Sequence, residues 1–127
     1  MHPIQPEIDT VLDCVKSRSD QWDRIYLATD ERRVQELFQS KFPGRVLVND
    51  RRYYESPDYH AIPLWDVHHK RERDSYFRGV EYLSSMDLLS RCDIMVGGLC
   101  GGSQAALLMN QGKYKEVHLF DCGNYGV

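Results

Sequence analysis

The chain has 127 residues, 42% of them hydrophobic and 28% charged, and a formal net charge of -3. That length predicts one domain over residues 1–127, with a real core and no room for a second lobe, and the charge offers no global field to hold a polyanion such as DNA. No apolar run approaches the roughly 18 residues of a membrane span, and the opening "MHPIQPEIDT" lacks the basic and apolar regions of a secretory signal. The expectation is a cytoplasmic protein with no nucleic-acid partner.

In chain order, the first helix is predicted from Gln5 to Ser17, with Ile8, Val11, Leu12 and Val15 at helical spacing and Pro6 in its first turn. "RIYLATD" (Arg24–Asp30) reads as a buried strand, since its apolar residues run almost without alternation. A helix over 31–42 carries Val34, Leu37, Phe38 and Phe42 on one stripe, and "FPGR" stops it. "RVLVND" (Arg45–Asp50) is a second strand. From Arg51 to Arg73 the chain is aromatic, charged and broken by Pro57 and Pro63, which reads as a long surface excursion. Helical period resumes with Tyr76, Val80, Leu83, Met86 and Leu89 on one face. "DIMVGG" is a third strand, "GSQAALLMNQG" a helix and "EVHLFDC" (Glu116–Cys122) a fourth strand. Alternating strands and helices predict an α/β sandwich with a mainly parallel sheet of at least four strands. Ligands of such sheets collect beyond the carboxyl ends of the strands, where Asp30, Asp50 and the Gly97–Ser103 stretch fall.

That stretch, "GGLCGGSQ", is the densest chemical signal. Glycines let backbone N–H groups face an anion, and a helix start adds positive dipole character. Ser103 can cap the helix or donate to a phosphate oxygen. The motif is neither a P-loop nor a dinucleotide fingerprint, and a plain tight turn needs the same glycines. Thr29-Asp30 carries a similar choice. A carboxylate there can cap the next helix, whereas acid–base work needs a raised pKa. The run "HHKRERD" supplies Lys70, Arg71 and Arg73, with Arg78 a turn further on. Guanidinium forks of this kind suit a diphosphate, and a solvated charged face is the competing use. His68-His69 is no metal pair, because adjacent side chains point apart. Tyr53, Tyr54, Tyr59 and Trp65 can stack a base or sugar, or pin the loop to the body. The cysteines Cys14, Cys92, Cys100 and Cys122 lie far apart, form no C-x-x-C, and read as reduced thiols.

Three segments together, "HPIQP" (His2–Pro6), "RIYLATDE" (Arg24–Glu31) and "RGVEYLSSMDLLSRCDIMVGG" (Arg78–Gly98), resemble the donor-binding lobe of fucosyltransferases of the core α1,6 and nodulation type and of their bacterial relatives among surface-polysaccharide genes. The resemblance covers nearly the whole chain. It implies half of a GT-B fold, a Rossmann-like three-layer lobe that binds GDP-fucose, with inverting transfer to a glycan acceptor and no metal or other cofactor. By that likeness Thr29 and Asp30 lie near the donor, the loop Gly98–Ser103 (with Gly101 and Gly102) contacts the diphosphate, and Arg73 or Arg78 steadies the leaving group. A guanine-contacting aspartate is expected on the preceding helix, where strict alignment puts Ser85 and Asp87 stands two residues away. The family's first motif, a strand with a donor-binding arginine, has no counterpart here, and neither has the acceptor lobe. Either the sequence is a fragment, or the sheet closes around the gap, or a partner supplies the strand. Apolar surface left by the missing strand is expected to favour self-association. Transfer by this chain alone is not expected, because one lobe cannot orient two substrates. A non-catalytic nucleotide-binding or remnant module is the alternative.

Overall fold

The computed structural model describes residues 3–55 and 71–124. His2, Pro57, Tyr59, Pro63, Trp65, His68, His69 and Lys70 lie outside the described residues. The elements run α1 (Ile8–Ser17), β1 (Ile25–Tyr26), α2 (Arg32–Lys41), β2 (Val46–Leu47), α3 (Asp74–Leu89), β3 (Ile94–Gly98), α4 (Gly101–Asn110) and β4 (Glu116–Phe120). Helices and parallel strands alternate, so the chain is an α/β protein. It divides into two compact units, Met1–Asp23 with Met86–Val127, and Arg24–Ser85.

In the first unit β3 and β4 pair in parallel from Ile94↔Glu116 to Gly98↔Phe120, with α4 as the crossover that parallel pairing demands. Met95 (1% exposed), the second residue of β3, is buried with Leu12, Val15, Met86 and Ala106 in this unit's apolar set. The helix α4 stops at Gln111, which takes a left-handed conformation with φ 59°, followed by Gly112 at φ 77°. Side-chain amides and hydroxyls then hold the connection to β4. Asn110 Nδ2 donates to the Ser90 carbonyl at 2.8 Å, Asn110 Oδ1 accepts from the Tyr114 amide at 2.7 Å, and the Tyr114 hydroxyl donates to the Leu89 carbonyl at 2.6 Å. Burial, with a smaller push from Cys92, raises the Tyr114 phenol to about 12. Arg18, at the end of α1, pairs with Glu116 at the start of β4 at 2.5 Å.

The second unit pairs β1 with β2 in parallel, Ile25↔Val46 and Tyr26↔Leu47. The ladder resumes further along as a parallel bridge between Glu31 and Tyr54, with the Tyr54 amide donating to the Asp30 carbonyl at 2.7 Å and the Arg32 amide to the Tyr54 carbonyl at 3.1 Å. Phe38, Phe42 and Tyr54 are its buried apolar residues, the two phenyl rings 6.0 Å apart.

Several expectations need correction. The four strands pair two and two, rather than in one sheet, among the described residues. "RIYLATD" and "RVLVND" hold only two strand residues each, because the chain leaves the ladder before Asp30 and Asp50. α1 starts at Ile8 behind Glu7, so Pro6 precedes the helix instead of opening it. The N-cap of α2 is Glu31, without a side-chain cap bond, so Asp30 does not cap it. Tyr54 is not on a surface excursion but in the core at 2% exposure.

The most instructive correction is on α3. Tyr76, Val80 and Leu83, expected to face a core, are 55%, 43% and 66% exposed, while Glu81 and Ser85 are buried. Charge pairing explains the inversion. Arg71 reaches both Asp74 and Glu81, Arg78 lies within 3.9 Å of Asp74, and the Ser85 hydroxyl donates to the Glu81 carbonyl at 2.9 Å. A polar face whose members satisfy one another can be buried.

Candidate functional site

Two places in the molecule match the topological rule that ligands gather at the carboxyl ends of parallel strands. The first is the turn from β3 into α4. Cys100 is the N-cap of α4 in extended conformation and makes no side-chain cap bond. The first intrahelical bond runs from the Gln104 amide to the Cys100 carbonyl at 3.1 Å, so the amides of Gly101, Gly102 and Ser103 come before it and carry the positive end of the helix. Gly101 is exposed, and a Cβ added there would meet nothing within 4 Å.

The rest of the turn is tighter. Gly102 and Ser103 are buried, and the Ser103 Oγ lies 3.4 Å from the Cys100 Sγ. Ser103 therefore sits in the first turn of α4 rather than at its cap. Gly98 packs closely, since a Cβ there would displace the end of the Gln5 side chain and come within 3.0 Å of the Pro6 ring. Asp87 lies at the other end of the same unit. It pairs with Arg91 at 3.1 Å and lines a small cleft with Ser90, Cys92, Asp93 and Lys113, beside the amino end of β3. The structure does not bring it to the glycine turn. Ser85 is spent internally, its hydroxyl donating to the Glu81 carbonyl and lying 3.2 Å from Asn49 Oδ1. Cys92 is no activated nucleophile, because burial and then Asp93 push its thiol up.

The second place belongs to the second unit. Thr29 Oγ1 accepts from the Glu31 amide at 3.2 Å, which fixes the bend between β1 and α2. Asp30 in that bend is half-buried, and burial raises its carboxyl despite the pull of Arg51 and, more weakly, of Arg78. A raised folded-state pKa means that folding favours the protonated form. The associated stability is complete below the ordinary aspartate value and is lost as the pH climbs through the folded one. Asp30→Asn is thus expected to melt higher than the wild type at pH 7, with the gap closing below about pH 4. Paired thermal melts at the two pH values check this, and a variant that melts lower at pH 7 contradicts it.

Arg73 has a left-handed φ of 56° and lays its guanidinium 4.5 Å from the Tyr76 ring centre. Arg78 stands over the Tyr54 ring at 5.5 Å and close to Asp74. Nearby, a cleft of about 830 Å³ opens where the chain leaves β2, and Arg51, Arg52, Tyr53, Arg71, Phe77 and Glu81 contribute to its wall. Sequence reasoning missed Arg51 and Arg52, although the "RR" directly after Asp50 at a strand end was a readable signal. Glu81 had none, because a glutamate in a helix ordinarily reads as solvated.

Thr29, Asp30, Arg73 and Arg78 thus share the second unit, and Gly98, Gly101, Gly102, Ser103 and Asp87 the first. Among the described residues no group of three or more histidine, cysteine, aspartate or glutamate side chains is placed to hold a metal ion, and no helix is long and apolar enough to cross a membrane. Compared with family models, curated proteins and solved structures, the chain matches none.

Proposed function

We propose that the chain is a nucleotide-sugar-binding lobe of the fucosyltransferase type, a Rossmann-like three-layer half of a GT-B glycosyltransferase whose donor is GDP-fucose. The observation that carries the reading is the β3–α4 turn. Three amides precede the first helical bond at the carboxyl end of a parallel strand, and Gly101 leaves their approach open. Backbone donors of this kind take a diphosphate and stabilise it as it leaves, with no metal required. The burial of Gly102 and Ser103 limits the seat to its outer rim, so Gly101 is the residue on which binding depends. The reading does not rest on Asp87, which faces the other end of β3, nor on the residues of the second unit. It assigns binding to this chain, and a glycan acceptor to protein beyond these elements.

Calorimetry with GDP, UDP and ADP tests the reading. A preference for GDP supports it, and equal silence for all three favours the non-catalytic remnant. Gly101→Val is expected to keep the fold, since a Cβ there meets nothing within 4 Å, and to weaken GDP binding about tenfold or more by covering the amides. Unchanged affinity in a folded variant removes the turn from the site.

A further inference from the structure

The cleft of the second unit has a charge balance of its own. Four arginines line it, Arg32, Arg51, Arg52 and Arg71, against three carboxylates, Asp50, Glu55 and Glu81. Two of the four are already neutralised: Arg32 pairs with Glu55 at 2.8 Å and Arg71 with Glu81 at 2.5 Å. Arg51 and Arg52 have no carboxylate within ion-pair distance among the described residues; Asp50 in the lining and Asp30, whose carboxyl feels Arg51, offset them in part. Arg51 is held in place nonetheless. Its Nε donates to the Arg52 carbonyl at 3.2 Å, and its guanidinium faces the Tyr53 ring at 5.8 Å, with Arg32 facing the same ring at 5.6 Å. Such cation–π contacts fix orientation without consuming the charge. The Arg52 side chain is exposed and makes no hydrogen bond or ion pair among the described residues.

Part of the lining is apolar, with the Arg71 guanidinium 5.5 Å from the Phe77 ring centre. Phe77 and Val80 of α3 are 41% and 43% exposed, where they cost solvation unless something covers them. At about 830 Å³ the cleft has the size of a small-molecule site, which spans ~300–1,000 Å³. Arg51 and Arg52 both line this cleft without a carboxylate partner among the described residues, and two guanidinium groups match a dianion better than a carboxylate, which one fork satisfies.

We infer that this cleft binds an organic phosphomonoester, its phosphate taken by Arg51 and Arg52 and its apolar body laid against Phe77 and Val80. The site is independent of the glycine turn and survives if the GDP reading fails. Titrating the isotope-labelled full chain with phenyl phosphate, followed by NMR, tests it. Saturable shifts are expected at the amides of Arg51, Arg52 and Tyr53, with inorganic phosphate binding more weakly. Arg51→Gln with Arg52→Gln is expected to lose about tenfold or more in affinity. Phe77→Ala is expected to weaken phenyl phosphate and leave inorganic phosphate unchanged. Arg52→Gln alone guards against misfolding, since that side chain holds nothing together, and it is expected to weaken binding severalfold. An absence of saturable shifts at residues 51–53, or variant affinity equal to wild type, overturns the inference. Shifts confined to Gly101–Ser103 overturn it too, while supporting the anion-binding turn of the proposed function.

Discussion

Replacing Met95 with alanine is expected to cost about 2–5 kcal/mol. Met95 is 1% exposed as the second residue of β3, and it shares the buried interior of the first unit with Leu12, Val15, Met86 and Ala106. Its removal deletes transfer energy and leaves a cavity that a two-stranded sheet, fixed in register by five residue pairs, cannot collapse around. Met95→Leu keeps the volume and is expected to cost less than about 1.5 kcal/mol. Denaturant unfolding of the two variants checks the pair. Near-equal losses would mean that the packing around Met95 is looser than its burial implies.

The first unit was legible in sequence because its signals agree with one another. "DIMV" is apolar without alternation, glycines follow it, and "AALLMN" then has helical period, so β3, its turn and α4 fall within two residues of expectation. Local preference and tertiary need point the same way there. The second unit was less legible. Strand-like stretches around Ile25 and Val46 contribute only two paired residues each, and periodicity does not report how much of an apolar run finds a partner. On α3 the apolar period was real, but the charged stripe beside it won the interior. Arginine–carboxylate pairs three to ten residues apart cannot be seen in a hydrophobicity pattern, because burial there follows from partners rather than from residue type.

Candidate-site residues divided along the same line. Gly98, Gly101, Gly102 and Ser103 were read from sequence as a strand-to-helix turn, and the structure puts them at the end of β3 and the start of α4. The structure adds what composition does not contain: Gly98 packs closely against Gln5 and Pro6, while a Cβ at Gly101 meets nothing within 4 Å. Asp30 was expected at a strand end, but β1 closes at Tyr26 and Asp30 lies in the bend beyond it; the N-cap position belongs to Glu31, and the raised carboxyl of Asp30 depends on burial that no single-residue reading supplies. Arg51 and Arg52 were hidden inside a segment read as a solvated excursion. Their significance emerges only once Arg32 and Arg71 are seen to be neutralised and these two are not.

Glu81→Ala should be the costliest charge removal in the second unit. The Glu81 side chain is only 10% exposed. Its Oε1 accepts from Arg71 Nη1 at 2.5 Å and from the Arg52 amide at 3.2 Å, while Oε2 is buried without a hydrogen-bond partner among the described residues. Truncation orphans the Arg52 amide and strips one of the two carboxylates from Arg71, whose side chain is itself only 23% exposed. Breaking a buried pair usually exceeds the worth of the pair, because the surviving charge stays desolvated. Asp74 remains 2.9 Å from Arg71 and softens the loss, so about 2–3 kcal/mol is expected. Glu81→Gln keeps an acceptor for the Arg52 amide and should lose less. The decisive comparison adds Arg71→Met to Glu81→Ala. If the penalty comes from an uncompensated guanidinium, the double variant recovers part of the single variant's loss, as a double-mutant cycle can show. Should the losses simply add, the Arg71–Glu81 pair is screened by water, and α3 presents its polar face inward for some reason other than charge pairing.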